Sequence, residues 1–315
     1  MNLDEKYIDQ LKNIDFKPIF IMGVHRSGTS ILYKILSKTG SFNSVNAYNV
    51  INYDQLLNNH INKIEGKEKQ KLNNLLKKLQ KSRSIDKLEI DSDFAEEYGF
   101  VLSRKNNESE LKPSTLETFI TLCKKIQFIS ENDKPILLKN PFDFNNFLFI
   151  KKQFPDAKFI FIHRNPFKTL NSQINATRTL IKNKSEYLNL ISVNYPKIYK
   201  NKLLLLYYRF LYSKYVQFGT LLFIKNLARK TKYFLENIEK LDNIDYISIR
   251  YEDLCNNPDE KINNILNFLQ IKAQKNIKYN NLINARKTQI LKELQKKEKY
   301  IIKKINPYFL KYSYL

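Results

Sequence analysis

With 315 residues, 43% hydrophobic and 13% aromatic, the chain can build one large α/β domain with insertions or two modest ones, which excludes a stapled mini-domain, a simple repeat and a wholly disordered chain. Its 54 Lys and Arg against 31 Asp and Glu leave a net charge of +23, favouring an anionic partner such as nucleic acid, a phosphorylated ligand or an acidic membrane. Cys123 and Cys255 are isolated, which leaves no zinc spacing or disulfide framework, and the polar start MNLDEKYIDQ has no apolar signal core, so a cytoplasmic setting is expected.

In chain order, the first expected strand is 18–22 (PIFIM), followed by a glycine-bearing loop and a helix over 29–38. Mostly helical pattern fills about 55–130, including the basic run 61–83. Strands follow at 135–139 (PILLK) and 158–163 (KFIFIH), with helices over 144–153 and 166–181. A second helical stretch covers 186–240. Within it, 203–224 approaches membrane length, but Arg209 and Lys214 interrupt it, each costing about 2.5–3.5 kcal/mol at mid-bilayer. That stretch is expected to form a buried or amphipathic helix, with peripheral membrane contact as a secondary expectation. A last strand at 245–250 (DYISIR) precedes a helix over 258–269 and a basic helix at about 284–304. The strands are nearly continuous apolar runs, as strands buried on both faces of a parallel sheet should be. The expected architecture is a single domain over 1–315: three α/β/α layers around a mostly parallel, P-loop-like sheet, with the helical insertions over its carboxyl end.

The loop reads Gly23-Val24-His25-Arg26-Ser27-Gly28-Thr29-Ser30. Two glycines five apart, between a strand and a helix start, suit backbone amides surrounding an anion at a helix N-terminus. A nucleotide kinase needs Lys directly after the second glycine, and Thr29 stands there. The loop cation is instead Arg26, with hydroxyls on Ser27, Thr29 and Ser30. This composition suits a sulfonated or dianionic group held without a bridging metal.

His25-Arg26-Ser27-Gly28-Thr29-Ser30 resembles the 5′-phosphosulfate loop of sulfotransferases that use 3′-phosphoadenosine 5′-phosphosulfate (PAPS). Two further regions carry the resemblance: 135–174, with Lys139, Arg164 and Ser172, and Tyr251-Glu252-Asp253-Leu254 after the last strand. The similarity covers about 18–40, 135–180 and 245–270. It implies PAPS as sulfate donor, 3′-phosphoadenosine 5′-phosphate (PAP) as product, no metal, and a transferase acting on a hydroxyl or amine. It further implies that Gly23, His25, Arg26, Ser27, Gly28, Thr29 and Ser30 hold the phosphosulfate, Arg164 and Ser172 the 3′-phosphate, and that Tyr251 touches the nucleotide.

For stabilising the leaving oxygen, Arg26 and Lys139 are the candidates. The proton acceptor follows neither family pattern: Pro141 occupies the place of the cytosolic members' His, and Val45-Asn46-Ala47-Tyr48-Asn49 lacks the Glu of the tyrosylprotein and glycan members. Glu97 in FAEEYGFVL is favoured, a carboxylate pair beside an apolar run being a place for a raised pKa; Glu96, Asp54 and His60 are the alternatives. The acceptor is expected to be a glycan, lipid, small molecule or peptide. Rival readings are a kinase with a degenerate loop and a catalytically silent anion-binding module. The runs 61–83 and 286–304 carry 12 of the 23 net charges and read as solvated helix faces, so nucleic acid is not expected as a partner.

Overall fold

A computed structural model describes residues 2–79, 89–275, 277–283 and 289–314. Five strands form one sheet: β1 (Pro18–Met22), β2 (Asn43–Ser44), β3 (Ile136–Lys139), β4 (Lys158–His163) and β5 (Tyr246–Arg250). Every pairing is parallel, in the order β2-β3-β1-β4-β5. The helix α1 (Thr29–Lys38) follows β1. Between β2 and β3 lie α2 (Ala47–Ile51), α3 (Leu56–Ile61), α4 (Glu65–Leu79), α5 (Gly99–Asn106) and α6 (Leu116–Ser130). Next come α7 (Phe147–Gln153) before β4 and α8 (Pro166–Lys182) after it. The second helical stretch contains α9 (Glu186–Ile191), α10 (Tyr195–Lys200), α11 (Lys202–Leu211) and α12 (Phe218–Asn237). After β5 come α13 (Tyr251–Asn256), α14 (Pro258–Phe268), α15 (Lys292–Gln295) and α16 (Glu298–Lys311).

The period-two alternation of strand side chains divides the core into two layers. From β1, Phe20 and Met22 join Phe159 and Phe161 of β4 against Phe119 of α6, Phe234 of α12 and Phe309 of α16. The intervening Ile19 and Ile21 join Ile160 and Ile162 against Leu32 and Leu36 of α1 and Ile262 and Ile265 of α14. A strand sandwiched in this way has no solvent-facing side, which is why PIFIM is uniformly apolar. Each such buried side chain contributes about 1.5–3 kcal/mol.

Four details differ from the sequence-based expectation. The strand β2 has only two residues, Asn and Ser, and therefore no hydrophobic signal; Asn43 N donates to Pro135 O at 3.0 Å, and its side chain reaches Gln127, Asn132 and Lys134. At the opposite edge, β5 is not buried on both faces, since Ile249 is buried while Ser248 is exposed. The apolar stretch 203–224 is not one helix: α11 ends at Leu211 and α12 begins at Phe218. Finally, 141–145 forms a 3-10 turn ahead of α7, started by Pro141, whose missing N–H costs nothing in a first turn. The expected basic helix at 284–304 falls partly outside the described residues; its described part forms α15 and α16, separated at Lys296 and Lys297.

Because all strands are parallel, their carboxyl ends share one edge. The loop after β1, Lys139 at the end of β3, Arg164 after β4 and Tyr251 after β5 therefore meet there, around the central strand.

Candidate active site

The backbone of the β1–α1 loop explains its glycines. Gly28 has φ +109°, and a Cβ there would lie 2.3 Å from Cδ2 of Tyr251, so glycine lets the ring rest directly on the loop. At Gly23 a Cβ would lie 2.9 Å from the carbonyl oxygen of Ile162 in β4. Arg26 adopts φ +71° without being glycine, a strained conformation of about 1 kcal/mol held by its surroundings.

Those surroundings come from β4 and α8. Arg26 Nε donates to Ser172 Oγ at 3.0 Å, Arg164 Nη1 donates to the Arg26 carbonyl at 2.9 Å, and Gln173 Nε2 donates to the His25 carbonyl at 2.8 Å. The Arg164 guanidinium lies over the Tyr251 ring at 4.5 Å, a cation–π contact. Its Nε is buried without a hydrogen-bond partner among the described residues, as is Ser27 Oγ. Helix α8 is fixed by Pro166 in its first turn and by Asn165, whose side chain accepts from the backbone of Phe167 and Lys168, while Asn165 N donates to Glu252 Oε1 at 3.1 Å.

On the β3 side, Lys139 is fully buried and its ammonium donates to Ser30 Oγ at 3.1 Å and to Glu97 Oε1 at 3.0 Å. Glu97 reaches it from the long insertion. Residues 94–96 run beside 45–47, with Glu96 N bonded to Val45 O and Ala47 N to Phe94 O, which carries the segment to the end of β3. The two carboxylates of the Glu96-Glu97 pair divide their work. Glu96 is buried, accepting from Tyr187 OH at 2.7 Å and from the Glu97 amide at 3.1 Å, whereas Glu97 meets Lys139.

His25 is half-buried with its ring edge-on to Phe142 at 4.6 Å. Burial pushes its pKa down to about 4; Lys230, Lys139 and Arg26 act in the same direction and Glu97 opposes them. The imidazole is therefore neutral at pH 7. Thr29 is buried and Ser30 half-buried.

Of the other carboxylate and imidazole candidates, Asp54 pairs with Lys105 at 2.5 Å and His60 with Glu131 at 3.0 Å, away from the loop's partners. The structure also brings in residues that the sequence did not mark. Asp143 is buried and accepts four hydrogen bonds, from Tyr98 OH, the Leu111 amide, Asn140 and Asn146, fixing the turn that follows Lys139. Burial still pushes its pKa up, although each of those bonds pulls it down. The ammonium of Lys230, on α12, donates to the Pro141 carbonyl at 3.4 Å. These residues act through packing of distant segments, and only the Asp within KNPFDF could have been noticed, as a turn residue.

The site thus joins a loop lined by amides and hydroxyls to cations on two sides, Lys139 and Arg164, with a carboxylate on the first. Comparison with known proteins bears on the fold and the family. A sulfotransferase crystal structure from Mycobacterium avium superposes with a TM-score of 0.64 over 96% of this chain and 80% of that one, at 13% identity. Another, from Mycobacterium tuberculosis, gives a TM-score of 0.55 over 85% of this chain and 71% of that one, at 15% identity. These likenesses establish the shared fold. Comparison with curated protein sequences gives no match. The profile described as "Sulfotransferase family" matches residues 18–199, from β1 through the loop, β3, β4 and α8 into α10, and on that span, more than half of its length, the chain belongs to the sulfotransferase family.

Proposed function

We propose that the protein transfers the sulfuryl group of PAPS to a hydroxyl or amine of an acceptor, releasing PAP. The reading is supported above all by the meeting of the glycine-bearing loop with Lys139, Arg164, Ser172 and Tyr251 at the carboxyl ends of the strands, which sets cations on two sides of the loop. In this reading the amides and hydroxyls of Gly23 to Ser30 hold the phosphosulfate, Arg164 and Ser172 the 3′-phosphate, and the Tyr251 ring the base. Ser172 lies six residues beyond Pro166, about 9 Å along α8, so the 3′-phosphate would lie beside that helix rather than on its end.

The acceptor oxygen bonds to sulfur as the bond between sulfur and the bridging oxygen of the nucleotide breaks, the electron pair leaving on that oxygen and the acceptor proton leaving to a base. Lys139 and Arg26 offset the charge on the departing oxygen. Glu97 takes the proton, 3.0 Å from the Lys139 ammonium. The Lys139–Glu97 pair joins the two tasks: protonation of Glu97 removes its claim on Lys139 as the leaving oxygen gains charge. Gln173, Asp143 and Lys230 hold the loop and the turn after β3 and act through them.

The test is thermal stabilisation. PAP at about 100 times its Kd should add about 2.7 kcal/mol, a shift of several degrees in Tm, and ATP much less. Arg164→Ala should remove the PAP shift. Equal stabilisation by ATP and PAP would turn the assignment toward a kinase.

A further inference from the structure

Helix α11 is amphipathic in the inverse sense. Leu203, Leu206, Tyr207 and Phe210 follow i, i+3, i+4, i+7 spacing and form one stripe, yet they are 79%, 58%, 56% and 64% exposed. The stripe continues through Tyr215 in the turn and Phe218 at the start of α12, 95% and 53% exposed. Single exposed apolar residues are ordinary, but six within residues 203–218 make a patch that marks an interaction surface.

The surrounding charge identifies the partner. Residues 187–235 contain nine Lys and Arg and no Asp or Glu. Next to the stripe lies a cleft of about 440 Å³ that includes Arg178, Lys182, Arg209 and Lys214 in its lining. Arg178 is committed to the fold, pairing with Glu293 at 2.9 Å and donating to the Tyr212 carbonyl at 2.7 Å, while Lys182, Arg209 and Lys214 are exposed at the rim. A second copy of the chain would set like charges against each other with no carboxylate in the segment to compensate. A nucleic acid would meet the cations but leave the leucines in water.

We infer that α11 and the turn into α12 dock the protein on an anionic lipid surface. Leu203, Leu206 and Phe210 enter the boundary between headgroups and acyl chains, and Lys182, Arg209 and Lys214 receive the headgroup phosphates. This segment lies on the bilayer and does not cross it, no described helix being long and apolar enough to do so. The cleft is connected to the donor loop by α8, which carries both Ser172 and Lys182, about 15 Å apart along its axis. A docked enzyme would therefore work within one helix length of the surface. The inference rests on the exposed stripe and its charges and is independent of the sulfuryl-transfer reading.

The full chain should be sedimented with phosphatidylcholine vesicles lacking or containing phosphatidylserine. Binding is expected to be at least about tenfold stronger on the anionic vesicles and to weaken with salt. Leu206→Glu combined with Phe210→Glu should lower it about tenfold again, because both side chains face solvent and their contribution is made only in lipid. An unchanged Tm of that variant demonstrates that the fold is intact. Equal binding to both vesicle types, unchanged binding of the double variant, or no vesicle binding by the native chain, with or without a dimer in solution, overturns the inference.

Discussion

At the residue scale, the buried Lys139–Glu97 ion pair is where the proposed chemistry is most directly tested. An ammonium with no exposed surface is stable only when its hydrogen bonds are made, here to Ser30 and Glu97, so either partner's removal is felt by the other. Glu97→Gln keeps the shape and a hydrogen-bond acceptor but not the base. The expected outcome is a fall in kcat of about 10²-fold or more with the PAP-induced Tm shift retained. Lys139→Met, which keeps the volume, should reduce transfer by about 10²–10³ if the ammonium offsets charge on the leaving oxygen. A labelled-sulfate transfer assay reads both, and a Glu97→Gln protein transferring at the native rate would sink the assignment of the base. Lys139, Arg26 and Arg164 were legible as candidates because they stand in a glycine loop and at two strand ends, in segments that resemble those of the family. Glu97 could be read only as one candidate among several acids, because its place beside Lys139 depends on residues 94–96 pairing with 45–47, a contact across the insertion with no local signal. Asp143 and Gln173 were hidden for the same reason.

At the element scale, apolar content decided what could be read. The buried strands β1, β3 and β4 are mainly runs of Ile, Leu and Phe between turn residues, and the helices α1, α8 and α14, which follow β1, β4 and β5, start within a residue of where Gly28, Asn165-Pro166 and Asn257-Pro258 would put them. The edge strand β2 and the break between α11 and α12 carry no such signal, since backbone pairing and a turn at Gln217 (φ +55°) set them. The loop after β1 makes a prediction of this scale. Gly28→Ala adds a methyl at φ +109°, 2.3 Å from the Tyr251 ring, and should destabilise by more than about 1 kcal/mol and weaken PAP binding. Gly66→Ala, inside α4 with no atom within 4 Å of the new methyl, should leave stability unchanged or raise it by up to about 1 kcal/mol. Urea midpoints of the two variants check the contrast, and a loss at both positions would mean that the loop geometry is not its cause.

At the scale of the whole molecule, acid should act twice. The chain already carries +23, so protonating carboxylates as pH falls adds to a repulsion that opposes compactness. Separately, His163 at the end of β4 is fully buried, bonded through Nδ1 to Tyr308 OH at 2.8 Å and stacked on Tyr312 at 4.0 Å. Burial pushes its pKa from the ordinary 6.5 down to about 3, with Lys311 adding to the effect. Between those values the unfolded chain binds a proton that the folded chain refuses. The stabilisation is fully present above pH 6.5 and is lost as pH falls toward 3, with a limiting slope of about 1.4 kcal/mol per pH unit from this one group. The two effects separate by salt: at 0.5 M the Debye length is about 4 Å, which screens repulsion between surface charges but leaves a buried imidazole untouched. Unfolding free energies measured from pH 7 to 4.5 should therefore fall less steeply in high salt, yet still fall. In His163→Gln, which cannot protonate, the high-salt slope should drop by about 1.4 kcal/mol per unit below pH 6. If the native protein and His163→Gln show the same high-salt slope, this imidazole is not the acid-sensitive element, and the dependence belongs to the other titrating groups, His25 with its lowered pKa among them, and to the net charge.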